Sequence, residues 1–215
     1  MNISIQIDEN DRRRIRTAFE LLGRDTEKGL AAAINATAKE ARTLIARQAN
    51  TDYATTDLGM QGLKVAMKIR KAAGTNPVAE IISKDGSREL YKFKVSPKTA
   101  AKGNGKKPKF FKAKVLKSSA FKKMVSGDIK AFVTSFSSGH TTLAERNPGK
   151  RMRNRRPGKK SYITKHNMAL KALYSVPVPM MLGGAHGYLK VADKIDNALR
   201  KNIDLQIEKI LGARQ

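Results

Sequence analysis

The positive charge of this chain is concentrated in one continuous part of the sequence, which limits how that part can fold. Between Leu90 and Lys171 there are 23 Lys or Arg residues and two acids, so this basic window carries +21 of the total formal charge of +26. Cations at this density repel one another, and a compact state is tolerated only where they face solvent or an anion. The composition therefore predicts an anionic partner.

The densest part of the window is NPGKRMRNRRPGKK, Asn147–Lys160, which we call the basic stretch. It holds seven Lys or Arg residues, no acid and one apolar side chain, Met152. Two Pro-Gly pairs and this composition predict a mobile loop with no helix or strand longer than one turn. We favour anion binding over a merely solvated loop, because cations beside a duplex displace condensed counterions.

The rest of the composition indicates a folded protein. Hydrophobic residues make up 40% of the chain, and Cys is absent, which excludes disulfides and thiolate metal sites. The sequence contains no run of about 20 apolar residues, as a membrane helix requires, and no signal-peptide core. We expect a soluble protein made in the cytoplasm, with no membrane partner.

Apolar periodicity predicts helices toward both ends of the chain. One begins at Asp25 or Thr26, runs to about Asn50, and has an apolar stripe of Leu30, Ile34, Ala38, Ala41 and Ile45. The other spans about Ala185 to Leu211, with Leu189, Ala192, Ile195, Leu199, Ile203 and Ile210 as its stripe. A shorter helix is expected before Gly23, after a strand that contains Ile3, Ile5 and Ile7.

Alternating apolar and polar residues predict short strands between these helices. Expected strands are Val65–Ile69, PVAEIIS, ELYKFKVS, FKAKVLKS and KAFVTSFSSGH. Asp85–Gly86 lies between the second and third of these and is typical of a hairpin turn. The order predicts a single α+β domain over residues 1–215, in which an antiparallel sheet packs against the long helix. Basic loops are expected at about 97–110 and 146–160.

No pattern of residues indicates an enzyme. His140, His166 and His186 lack the spacing to another His or carboxylate that metal ligation needs. The hydroxyl and imidazole of Ser137–His140 lack a third, orienting group, and the glycine runs lack nucleotide-binding spacing. We therefore expect no catalytic residue, no cofactor and no metal.

The residues expected to bind DNA are the cations of the two basic loops. They are Lys150, Arg151, Arg153, Arg155, Arg156, Lys159 and Lys160, assisted by Lys106 and Lys107. No helix-turn-helix, zinc or RRM signature is present, and the basic stretch has no aromatic residue on which bases could stack. We expect contacts with the phosphates of double-stranded DNA that are blind to base sequence.

A short apolar segment near the C-terminus is the expected assembly surface. YSVPVPMMLGG is predicted to be extended, because proline fixes φ and disfavours helix in the residue before it. Its apolar residues are Pro177, Pro179, Met180, Met181 and Leu182, which we call the apolar strip. Such a strip is suited to docking on a neighbouring subunit, and the alternative is that it completes the protein's own core.

Several of these segments, in order, resemble the phage minor tail protein Z family. GLAAAINATAKEARTLIARQ is similar to the family's opening helix. KKPKFFKAKVLK, followed by KAFVTSFSSGHTTLAERN, resembles its strand pair and basic loop. LKALYSVPVPMMLGG resembles its Pro-x-Pro motif before a terminal helix. The resemblance covers roughly residues 30–211, and Met1–Gly23 departs from the pattern.

The resemblance implies a non-enzymatic tail completion protein at the head-proximal end of a long-tailed phage virion, made and assembled in the host cytoplasm. It implies a homo-oligomeric ring, with a hexamer favoured, that contacts tail terminator, tail tube and neck proteins. Basic loops that point into the ring would meet the double-stranded DNA in the channel. The alternative is a free, sequence-non-specific nucleic-acid-binding protein associated with ribosomes or the nucleoid.

Overall fold

The structure is a computed structural model that describes residues 1–6, 13, 17, 26–73, 77–99, 108–136, 138–151 and 168–212. It is a mixed α+β fold with antiparallel sheets, as the sequence predicts. The single domain expected from the sequence stays a prediction, and the chain divides into two compact units. Unit 1 comprises Met1–Asp52, Leu58–Gly86 and Pro177–Gln215, and unit 2 comprises Tyr53–Asp57 and Ser87–Val176. The predicted helix before Gly23 lies outside the described residues.

Helix α1, Thr26–Asp52, is the centre of unit 1 and confirms the predicted long helix. Ile34, Ala38, Ala41 and Ile45 are fully buried, and Leu30 is half-buried. The buried surface is wider than one stripe, because α1 contacts a second helix, the terminal helix and the sheet of this unit. Alanines on α1 allow this close approach on several sides.

The sheet of unit 1 has three antiparallel strands with the last one in the middle. They are β1, Asn2–Ile5; β2, Lys68–Arg70; and the central β3, Ala79–Ile82. Ile3 and Ile5 are buried, as β1 was predicted to have one core face. The strand predicted from Val65 is wrong at its start, because helix α2, Met60–Val65, ends there and leaves Val65 79% exposed.

The hairpin predicted at Asp85–Gly86 is also wrong. Strand β3 pairs with β1 and β2, and the strand that follows the Asp-Gly turn pairs elsewhere. The turn instead marks the point at which the chain leaves unit 1 and enters unit 2. An Asp-Gly pair predicts only a local turn, whereas strand pairing depends on which side chains are buried in the whole unit.

The C-terminal part of unit 1 is more helical than predicted. Helix α3, Val178–Gly183, replaces the expected extended segment, because prolines are tolerated in a first helical turn, where N–H groups have no intrahelical acceptor. A 3-10 turn, Tyr188–Lys190, separates it from α4, Ala192–Gly212. Ile195, Leu199 and Ile203 of α4 are buried as predicted. Leu189 is not part of this stripe and is 63% exposed, because it precedes the helix.

Unit 2 is built from short antiparallel strands. They are β4, Arg88–Glu89; β5, Lys94–Ser96; β6, Lys112–Lys114; β7, Lys122–Lys123; β8, Val125–Ser126; β9, Ile129–Lys130; β10, Phe132–Ser135; β11, Thr141–Arg151; β12, Met168–Ala172; and β13, Tyr174–Ser175. These form the sheets β5-β6-β7 and β10-β11-β12 and the pairs β4-β13 and β8-β9. Phe93, Phe111, Val133 and Leu143 lie in the core of this unit.

Strand β11 corrects the prediction for the first part of the basic stretch. The strand runs through Asn147 to Arg151, where a loop without strand structure was expected. Its partner is β12, which pairs with Ala144–Arg146 and again at Arg151, with a register shift between the two. Pairing with β12 on both sides of the register shift offsets part of the entropy cost of ordering this segment. Residues 152–160 lie outside the described residues.

Candidate nucleic-acid interface

The sheet β5-β6-β7 carries lysines on one face of all three of its strands. Lys94 of β5 lies opposite Lys114 of β6, and Lys112 of β6 lies opposite Lys123 of β7. Residues two apart on a strand point to the same side, and directly opposite residues share a face. These four residues, Lys94, Lys112, Lys114 and Lys123, therefore form one surface, which we call the lysine face.

The opposite face of the same sheet is apolar on β5 and β6 and carries the exposed Lys122 on β7. Ala113 pairs with Val95 on one side and with Lys122 on the other. Ala113 and the preceding Phe111 are buried, whereas Lys112 is exposed. The alternation predicted for FKAKVLKS is confirmed for this segment. Because the apolar face is held in the core, the lysine face is fixed on the solvent side.

Carboxylates do not neutralise the lysine face within the residues that the structure describes. Unit 2 contains 24 Lys or Arg residues and four acids, which gives a net charge of +20. Three of these acids are paired with other groups: Asp57 with Arg88, Glu89 with His140 and Glu145 with Lys171. Lys114 Nζ donates to the carbonyl oxygen of Lys117 at 2.9 Å. The local potential is therefore set by uncompensated ammonium groups.

Two phenylalanine rings border the lysine face. The ammonium of Lys123 lies 5.2 Å from the centroid of Phe110, and that of Lys114 lies 5.4 Å from the centroid of Phe121. Lys130 and Lys109 also approach Phe110, at 5.0 and 5.8 Å. Phe121 is 41% exposed and Phe110 is half-buried. Cations within about 6 Å of an aromatic centroid are attracted by the ring quadrupole.

The predicted DNA-binding residues are described by the structure only in part. Lys150 is exposed near the end of β11, and Arg151 is the last residue of that strand. Arg153, Arg155, Arg156, Lys159, Lys160, Lys106 and Lys107 lie outside the described residues. The cationic surface that the described residues form is the lysine face. The sequence predicts it only as the polar side of two separate strands. Its signal was the alternation of lysines in KFKVS and FKAKVLK.

The apolar strip is divided between the core and the surface of unit 1. Met181 and Leu182 are fully buried, and Val178 between the prolines is nearly so. These side chains complete the core, which was the alternative considered for the strip. Met180 is 61% exposed and Pro179 is half-buried. Pro177, which precedes α3, is half-buried like Pro179, so three residues of the strip remain able to contact a neighbour.

A polar cluster joins the C-terminal end of α1 to the segment that precedes α4. Asp52 Oδ2 accepts from Lys190 Nζ at 2.9 Å and lies 3.0 Å from His186 Nδ1, while Oδ1 accepts from Gln48 at 2.9 Å. Burial opposes ionisation of Asp52, but the hydrogen bonds from Lys190 and His186 outweigh it and hold the pKa of Asp52 below its ordinary value. The ammonium of Lys190 also faces a helix end whose last turn has no basic residue.

The described parts of the chain contain neither a group of metal-ligand side chains nor a helix that could span a membrane. No group of three or more His, Cys, Asp or Glu residues there is placed to hold a metal ion. None of the described helices is both long enough and apolar enough to cross a membrane. Comparisons of the chain with protein-family models, curated proteins and solved structures found no match.

Proposed function

We propose that this chain is a structural protein of the tail-completion type that contacts double-stranded DNA through its phosphates. The observation that carries this proposal is the lysine face, on which ammonium groups lie opposite one another without carboxylate partners. Phosphates at such a surface relieve repulsion and release counterions, and neither effect depends on base sequence. The basic stretch adds further cations in the same unit.

The location in a phage tail rests on the sequence resemblance. The ring, its contacts with terminator, tube and neck proteins, and its position in the virion are proposed on that basis. A protein at a channel through which a whole genome passes needs DNA contacts that ignore sequence, and phosphate contacts meet this requirement.

The experiment that tests the proposal measures the salt dependence of duplex affinity and, in the phage, infectivity. If about five to seven phosphates are neutralised, log affinity for a duplex should fall with log salt at a slope of about −5 to −6. Replacing Lys150, Arg151, Arg153 and Arg155 by Ser should flatten this slope by about three to four units for all duplex sequences alike. Sequence-dependent losses would contradict phosphate-only contact.

In the phage, the same variant separates assembly from genome handling. Particles should have tails of normal shape, because assembly would rest on apolar and helical surfaces, but their infectivity should fall. Normal tails with a normal titre would show that the charge does not serve DNA. A monomer that binds host ribosomes or bulk DNA and never enters tails would favour the free nucleic-acid-binding protein instead.

A further inference from the structure

The lysine face and its two rings form a surface that duplex DNA would use only in part. We propose that this surface binds single-stranded nucleic acid, with bases stacked on Phe110 and Phe121 and phosphates on the lysines. The site shares the lysine face with the proposed function and adds the two rings, and its ligand is a single strand in place of a duplex.

Both rings belong to the same side of the sheet as the lysines. Phe121 touches the ammonium of Lys114, and Phe110 touches that of Lys123. Lys123 lies directly opposite Lys112, and Lys112 and Lys114 are two residues apart on β6. All of these groups therefore share one face, on which aromatic and cationic side chains are interleaved.

The exposure of Phe121 distinguishes the ligand. An exposed phenylalanine gains nothing from contact with phosphates, and the faces of bases in a duplex are already covered by their stacked neighbours. In a single strand the base faces are free, and stacking on an aromatic ring is favourable for every base. A positively charged surface with interleaved aromatic side chains is therefore suited to a single strand and has no preferred sequence.

Several cations converge on one of the rings, which supports a phosphate site beside it. The ammonium groups of Lys109, Lys123 and Lys130 all lie within 5.0–5.8 Å of the centroid of Phe110. They come from three separate parts of the chain: Lys109 precedes β6, Lys123 belongs to β7 and Lys130 belongs to β9. A base that stacks on Phe110 would take the place of an ammonium group over the ring, and its phosphates would lie within reach of these three side chains.

The test uses a fluorescently labelled oligothymidylate of about 12 nucleotides, a length within the usual site size of such surfaces, and a duplex of equal length. Phe121→Leu keeps apolar bulk but removes the aromatic face. We expect it to weaken oligothymidylate binding about tenfold and to leave duplex binding unchanged. Phe121→Tyr, which keeps the ring, should bind oligothymidylate as the unmodified protein does.

The matched control is Phe136→Leu. Phe136 is 43% exposed in the same unit but lies between β10 and β11, outside the lysine face. It should leave both affinities unchanged. Circular dichroism of each variant verifies that the protein remains folded. Phe110→Leu removes the second ring and is an independent test of stacking.

Two outcomes would overturn the proposal. One is that Phe121→Leu and Phe110→Leu both bind oligothymidylate like the unmodified protein. The other is that they lose duplex and single-strand binding equally, which would indicate a general change in the surface. If a Lys112→Gln, Lys114→Gln variant keeps oligothymidylate binding but loses binding to polyglutamate, the surface recognises an acidic protein segment instead. Duplex affinity tests the proposed function and oligothymidylate affinity of the ring variants tests this site, so each proposal can fail while the other holds.

Discussion

Lys112 and Lys123 lie directly opposite each other on adjacent antiparallel strands, with Ser96 on the other side of Lys112. Side chains in such positions have Cβ atoms about 4.5–5.5 Å apart, and like charges there are destabilising. The Lys112–Lys123 pair therefore lowers the free energy of unfolding at the place where cations are concentrated. Substitution at either position can measure this cost.

Replacing Lys112 by Glu should stabilise the protein and weaken its binding to nucleic acid. The new carboxylate would face the ammonium of Lys123, which should gain about 0.2–1 kcal/mol in place of a repulsion. The same change places a negative charge in the middle of the lysine face. Thermal unfolding and duplex affinity, measured on the same preparation, should therefore move in opposite directions.

Lys122→Glu is the control for this prediction. Lys122 is also exposed on β7, but its cross-strand partner is Ala113 and it lies on the other side of the sheet. It should not increase stability, although it removes the same amount of charge. Equal stabilisation by both variants would show that a general fall in net charge, and not the cross-strand pair, is responsible.

Asp52→Asn should lower stability at neutral pH but not in acid. The pKa of Asp52 is lower in the folded state than in the unfolded chain, so its stabilising contribution is present above about pH 4 and is lost as pH falls through the folded-state pKa. We expect a loss of about 0.5–1 kcal/mol at pH 7, because Lys190 is half-exposed and screened by solvent.

The measurement is the unfolding midpoint of the helical circular-dichroism signal as a function of pH. The curves of Asp52→Asn and the unmodified protein should converge as the pH drops below about 4. Asp204→Asn, an exposed change on α4, should run parallel to the unmodified protein throughout. A constant difference at every pH would mean that the charge of Asp52 is not what stabilises the cluster.

Met181 and Met180 should respond to substitution in opposite ways, although they are neighbours in α3. Met181 is fully buried, so Met181→Ala should cost about 2–5 kcal/mol of unfolding free energy. Met180 is 61% exposed, and Met180→Ala should change stability by less than about 0.5 kcal/mol. Incorporation of the Met180 variant into tails then tests whether this face assembles, because its fold remains intact.

Gly187→Ala should destabilise unit 1 through a backbone clash. A Cβ at this position would meet the carbonyl oxygens of Met181 and Leu182, which are main-chain atoms that cannot rotate away. We expect a cost of about 1–3 kcal/mol in chemical denaturation. Gly86→Ala is the control, since a Cβ there meets nothing within 4 Å. Similar behaviour of both variants would argue against the close approach at Gly187.

Sequence reasoning succeeded where a residue's environment follows from its neighbours in the chain. The periodicity of Ile34, Ala38 and Ile45 predicted α1, and alternation around Ala113 predicted β6 and its buried face. Both patterns report directly on which side of an element is buried. The same reasoning failed at Val65, because a period of two over a few residues does not separate a strand from the end of a short helix.

The lysine face could not be found in the same way. Alternation places Lys112 and Lys114 on one side of β6, but nothing local tells which lysines of other strands lie opposite them. Charge density, in contrast, is visible in the sequence, and it predicts the basic stretch as the DNA-binding site. The position of Phe121 beside Lys114 likewise depends on strand register, which burial in the whole unit decides.

Unit 1 is assembled from segments that are far apart in the order of synthesis. Asn202 Nδ2 donates to Thr37 Oγ1 at 3.1 Å across 165 positions of the chain. Because a polypeptide is made from its N-terminus, all of unit 2 is synthesised before α4 exists to cover α1. During that interval the apolar side of α1 is open to other nascent chains, and such transient exposure is a common route to aggregation. The segment made in the meantime carries most of the positive charge, so neighbouring unfinished chains should repel one another until the last helix arrives.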